Sequence, residues 1–163
     1  MKKLTLILIG ILNFTICEAQ SDYVILNDQQ TIDKLVNTYK ILTESSKTSE
    51  ITEAEFNFIN DALKECVAKY NNNVKEGFRK RKEKRKNAKM YLIKDLKNYK
   101  IQYVPYLNEK GEKEIWINGF CDNFDSEWKR NIIYVFDGGN CFFNVKINVS
   151  TKECLSIGTN GYA

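Results

Sequence analysis

The chain has 163 residues, of which 28 % are charged and 43 % hydrophobic, with a formal net charge of +4 and no histidine. The length is that of one domain, enough to bury a core without requiring disulfide staples. Without histidine there is no Ser-His or Cys-His pair, no His-ligated zinc and no side chain whose ordinary pKa lies near neutrality, which excludes most common hydrolase designs.

The opening stretch, MKKLTLILIGILNFTICEAQS, carries two lysines and then an apolar run too short and wrongly flanked for a spanning helix. It reads as a signal peptide over residues 1–19, with Cys17 and Ala19 as the small residues before the cut. A lipid anchor on Cys17 is the competing reading, opposed by the bulky residues that precede it. No later apolar run approaches the roughly 20 residues needed to cross a bilayer. Residues 20–163 are therefore expected to form a single exported domain, in the periplasm, at the cell surface or outside the cell. Four cysteines remain, Cys66, Cys121, Cys141 and Cys154, in a compartment that permits disulfides.

In chain order, NDQQTIDKLVNTYKILTES places Ile32, Leu35, Val36, Tyr39 and Leu42 on one face, predicting a helix over 29–45 capped by Asn27 or Asp28. Thr52 followed by Glu55 fits a capping box, and behind it Phe56, Ile59, Leu63, Cys66 and Tyr70 recur at helical steps. This second helix is predicted over 52–98; near 71–77, where YNNNVKEGF holds weak helix formers and a glycine but no proline, both a break and a continuous helix are open. Its middle is basic: between Lys75 and Lys100 there are twelve Lys or Arg against Glu76, Glu83 and Asp95. A helix with Arg81 and Arg85 where apolar residues should fall is expected to stand partly clear of the core, and MYLIKDL to return to it.

From Ile101 the texture turns to strands, expected over 101–160. IQYVPYL and KEIWINGF flank the turn NEKGEK and read as a hairpin, with Pro105 pointing to a sheet edge. RNIIYVF and CFFNVKINV flank DGGN and read as a second hairpin. In that register Phe136 faces Cys141, Tyr134 faces Phe143 and Ile132 faces Val145, all on one apolar face. A last strand around CLSIG would set Val149 opposite Glu153, Ile147 opposite Leu155 and Val145 opposite Ile157. The other face of the central strand, Phe142, Asn144, Lys146 and Asn148, is mostly of solvated types. The expected fold is α+β, with N-terminal helices packed on one face of a four- to five-stranded antiparallel meander.

The stretches NEKGEKEIWINGFC and DGGNCFFNVKINVSTK and the closing NGYA resemble small exported proteins of Gram-negative bacteria. The helix-then-meander order is similar to the cystatin-like or PepSY-like group of domains, over roughly residues 99–163. The resemblance implies binding or inhibition of another protein. It transfers no functional residues, because the binding loops of cystatins have no counterpart here.

The candidate chemistry is sparse. In the expected register Cys141 points inward beside Phe136 and Phe143, a setting that disfavours a thiolate and makes it an apolar filler. Cys121 and Cys141 fall at opposite ends of the expected sheet, beyond the roughly 4.4 to 6.8 Å between Cα atoms that a bridge requires. A disulfide from Cys66 to Cys121 or Cys141 is the expectation, with Cys154 facing away. Asn123, Asp125 and Glu127 alternate as calcium ligands would, but without the glycine of such a loop, and read as a solvated acidic turn. No residue set calls for a cofactor or a metal.

Arg79, Lys80, Arg81, Lys82, Lys84, Arg85, Lys86 and Lys89 form the candidate contact for a polyanion, set against the plainer reading of a solvated charged face. Nucleic acid is not an expected partner of an exported chain, and the run has neither interleaved aromatics for base stacking nor an apolar face for membrane insertion. The functional expectation is an exported, non-enzymatic binding module for a protein or acidic polymer. The alternative is a small secreted enzyme or inhibitor using a cysteine or an acidic cleft.

Overall fold

Glu55 begins the longest element by closing a capping box with Thr52. Its carboxylate accepts from the Thr52 backbone N–H at 2.8 Å, while the Thr52 hydroxyl accepts from the Glu55 N–H. The computed structural model describes residues 22–81 and 88–161, and the expected leader with Cys17 lies outside them. From this cap, helix α2 runs Glu53–Lys80, with Glu53 and Glu55 at its positive end and Arg79 and Lys80 at its negative end. It is preceded by strand β1 (Tyr23–Ile25), helix α1 (Gln29–Asp33) and strand β2 (Lys47–Thr48). It is followed by β3 (Lys100–Leu107), β4 (Lys113–Phe120), β5 (Phe142–Asn148) and β6 (Glu153–Thr159).

The α+β class stands, but the meander becomes a mixed six-stranded sheet in the order β1-β3-β4-β5-β6, with β2 also on β3. The NEKGEK hairpin forms as predicted, pairing β3 with β4. β1 joins the other edge of β3 in parallel and β2 joins it antiparallel. Pro105 thus lies on an interior strand. Ile101 and Tyr103 turn their backbone groups to the β1 side, bonding Asp22 and Leu26 at 2.9 Å. Pro105, two residues on, turns its nitrogen the same way, into the gap between β1 and β2 where no donor is needed.

The face that α2 covers is the expected one. Ile59, Leu63, Cys66 and Val67 pack with Phe143, Val145 and Ile147 of β5, Ile115 and Ile117 of β4, and Ile101 and Tyr103 of β3. Each large side chain buried there stabilises the fold by about 1.5 to 3 kcal/mol. Gly119, opposite Phe143 in the ladder, leaves room for its ring, since a Cβ there would lie 2.1 Å from a ring carbon.

The second hairpin does not form. β5 pairs with β4, so that Gly119 faces Phe143, Ile117 faces Val145 and Ile115 faces Ile147. RNIIYVF is not a strand: it crosses the far side of the sheet as irregular chain after a 3-10 turn at Ser126–Lys129. Side chains replace the strand partner it lacks. Gln102 donates to the carbonyls of Trp128 and Asn131 at 2.6 and 2.7 Å and accepts from the Ile133 N–H, and Asn118 donates to the Ile133 carbonyl at 2.6 Å. Ile132 is buried against Leu35, Val104 and Trp116, while Phe136, expected in the core, is 83 % exposed.

The far face is therefore also a core, contrary to its expected solvation. Ile32, Leu35, Val36 and Leu42 cover Val104, Tyr106 and Trp116 there. The first helix is shorter than 29–45: Asp28 caps α1, one π-turn follows over Lys34–Thr38, and the chain reverses at Lys40, whose φ is 55°. That reversal bonds the Ile41 and Leu42 N–H groups to the Leu35 carbonyl and folds Leu42 into the core.

The second helix ends at Lys80 and not at 98, and of the two courses open at 71–77 it takes the continuous one. The Asn71 side chain, in place of breaking the helix, bonds both the N–H and the carbonyl of Ile93 at 2.9 Å and pins the returning chain. MYLIKDL returns to the core through Ile93, as irregular chain leading to a 3-10 turn at Leu96–Asn98.

Two measurements check these contacts. Gly119→Ala should lower the unfolding free energy by about 1 to 3 kcal/mol in urea titration, because the Phe143 ring must move. The Lys113 ammonium, donating to Glu55 at 2.7 Å, and the Thr52 N–H hold the Glu55 carboxyl below its ordinary value of 4.5. The stabilisation from a depressed carboxyl is present above the unfolded value and lost as pH falls through the folded one. Glu55→Gln should accordingly cost about 1 kcal/mol near neutral pH, with the difference from the parent chain vanishing in acid.

Candidate functional site

Three regions bring chemically capable side chains together: the cationic end of α2, a polar cleft on the far face, and a groove beside β1. The first begins with the length of α2. Its 28 residues extend about 42 Å, against about 25 Å for a strand of seven or eight residues. All four of its buried residues, Ile59, Leu63, Cys66 and Val67, lie in its first fifteen positions. Beyond Tyr70 it overhangs the sheet, and Arg79, Lys80 and Arg81 are exposed. From Lys69 to Arg81 five cations face a single acid, Glu76.

Lys82, Lys84, Arg85 and Lys86 lie outside the described residues. Lys89 is exposed on the returning arm, which is held by more than the Asn71 clamp. The Asn140 amide donates to the carbonyls of Lys89 and Leu92 at 3.2 and 2.6 Å, and the Asn140 N–H donates to Met90. Tyr99 in turn donates to the Asn140 carbonyl at 2.6 Å. Arg79, Lys80 and Arg81 on the outgoing arm and Lys89 on the return are thus presented at one end of the molecule. Phe78 and Tyr91 stack between the arms at 5.9 Å, and the Arg81 guanidinium lies 4.8 Å over the Phe78 ring.

The polar cleft, about 490 Å³, lies on the far face by the 41–46 segment. There the Tyr106 hydroxyl donates to Glu114 at 2.5 Å, Asn108 donates to Glu112 and Glu114, and Asn148 donates to Glu112 at 3.0 Å. The amides of Asn108 and Asn148 hold the Glu112 carboxyl below its ordinary range. Burial, reinforced by Glu114, pushes the Tyr106 hydroxyl far above its own. Lys146, expected in solvent, is half-buried and donates to the Ile41 carbonyl at 2.7 Å, and this burial lowers its pKa. These groups satisfy one another and fasten the β3–β4 hairpin to β5. Of these residues the sequence marks only Lys146 and Asn148, as solvated types on β5, and gives no signal for the others.

The groove, about 1070 Å³, runs between α2 and the β1–β3 edge, with Tyr23, Phe56, Leu63, Ile101 and Tyr103 among its walls. At its rim the Tyr103 hydroxyl donates to Asn60 at 2.6 Å, and burial pushes that hydroxyl well above its ordinary pKa.

The cysteines are rearranged relative to expectation. Phe120 pairs with Phe142, so Cys121 and Cys141 continue the same ladder and form a disulfide with Cα atoms 5.0 Å apart. They had been separated only by the wrong partner for β5. Cys66 bonds Cys154 and neither of the others. An irregularity between Lys146 and Ile147 leaves Val145 opposite Ile157, as expected, but brings Cys154 in place of Leu155 opposite Ile147. One residue of slip exchanges the faces of a strand, so Cys154 turns toward α2 and Leu155 becomes 46 % exposed. With all four cysteines bridged, none of them offers a thiolate.

Among the described residues no group of three or more His, Cys, Asp or Glu is placed to hold a metal ion. In the expected acidic turn, Asn123 accepts from the Lys100 ammonium and Glu127 from the Asn131 amide. No described helix is long and apolar enough to cross a membrane.

Non-reducing peptide mapping should recover Cys66–Cys154 and Cys121–Cys141, and native, unreduced protein should show no alkylation at these four positions. Recovery of a Cys66–Cys121 or Cys66–Cys141 peptide would contradict the strand register. Comparison of the chain with protein-family models, with curated proteins and with solved structures finds no match.

Proposed function

We propose that the chain is an exported, non-enzymatic binding module that engages an acidic partner through the cationic end of α2 and the returning arm at Lys89. The observation that carries this reading is the separation of scaffold from surface. The part of α2 up to Tyr70 is consumed in the core, while its last turns carry no buried residue and leave Arg79, Lys80 and Arg81 exposed, with Lys89 clamped nearby. A charge run that is merely a solvated face needs no second arm held beside it. The two disulfides fit an oxidising compartment.

A second reading, an enzyme or inhibitor acting at an acidic cleft, draws support from Glu112, Glu114, Tyr106 and Lys146 around one cavity. It is the weaker reading, because their polar atoms are engaged in fastening the sheet.

Attraction to a polyanion releases counterions and therefore weakens steeply with salt. The full chain should be retained on immobilised heparin at low salt and released as salt rises. The combined variant Arg79→Gln, Lys80→Gln, Arg81→Gln and Lys89→Gln should elute at clearly lower salt with unchanged thermal stability. Absence of salt-sensitive retention, or identical elution of parent and variant, would remove the reading.

A further inference from the structure

We infer that the acidic partner of the α2 end is an anionic lipid surface, onto which the arms dock with Met90, beside the stacked Phe78 and Tyr91, entering the headgroup layer. This inference rests on the proposed reading of the cationic end and adds the class of partner.

The run of cations by itself has no apolar face, which argues against a membrane from sequence. The fold supplies one from outside the run. Met90 is 40 % exposed, and Phe78 and Tyr91 beside it are half-buried. The three side chains are held among the cations. Phe78 is the residue before Arg79, Tyr91 stacks on Phe78, and Met90 is adjacent to Lys89 with its carbonyl bonded by Asn140. A soluble acidic polymer gains nothing from an apolar side chain placed between cations and leaves it in water.

An anionic bilayer surface satisfies both chemistries at once. Lys and Arg lay their aliphatic stems along apolar surface with the charge at the headgroup level, and a thioether or aromatic ring beside them enters the interface. The clamps at Asn71 and Asn140 add a geometric condition, because the arms reach the surface already ordered.

The test uses the full chain with phosphatidylcholine vesicles, with and without phosphatidylglycerol, alongside heparin retention. The parent should co-sediment with phosphatidylglycerol vesicles only. Met90→Ser should weaken that partition about five-fold and leave heparin elution unchanged. Met90→Trp should show a blue shift of emission on phosphatidylglycerol vesicles and none on soluble heparin, against native Trp116 and Trp128 that are both buried. Heparin retention without vesicle binding, or vesicle binding indifferent to Met90→Ser with no shift from Met90→Trp, would overturn the lipid inference and leave a soluble polyanion as partner. Failure to bind either probe would instead sink the underlying reading.

Discussion

A central pair of strands covered on both faces is the constraint from which the rest follows. β4 and β5 carry apolar side chains toward α2 on one side and polar or mixed ones toward α1 and the 126–135 crossing on the other. Polar groups enclosed in this way cost about 1 to 3 kcal/mol each if left without partners. Gln102, Asn118 and Asn144 answer that cost as one row across β3, β4 and β5. They lie opposite one another in the ladder, and their amides bond in series at 3.0 and 3.1 Å. Among the described residues no buried side-chain nitrogen or oxygen lacks a partner. The row also sets the path of the crossing segment, whose carbonyls it takes up.

Much of the near face was legible because its signals are local. A capping box followed by residues at helical spacing states where α2 begins and which stripe it buries, and alternation in CFFNVKINV states which side of β5 is apolar. The side is correct even though the expected neighbour was not: Phe143, Val145 and Ile147 meet Ile59 and Leu63 whichever strand lies beside them. The far face was not legible. RNIIYVF reads as a strand and adopts none, because what decides it is the side-chain amides of Gln102 and Asn118, from strands earlier in the chain, competing for its backbone.

The candidate site divides in the same way. The basic run could be read directly, whereas its setting could not. Asn71, in a stretch that looks like a helix break, instead serves as a clamp, and Asn140, in what looks like a hairpin turn, holds the returning arm. Both asparagines have full donor and acceptor capacity, and only the arrival of a distant backbone segment determines whether that capacity terminates a helix or ties two segments together.

By itself the sequence determined the α+β class, the start and buried stripe of α2, the first hairpin, the inward side of β5 and the concentration of cations beyond the core. Each depends on periodicity or capping within a few residues, which states what a face requires. Tertiary structure alone decided what meets that requirement: the pairing of β5 with β4, the second cover, both disulfides and the apolar side chains set among the cations. The physical reason is that pairing and coverage are competitions between segments far apart in the chain. A single unpaired residue in one ladder is enough to exchange the faces of Cys154 and Leu155.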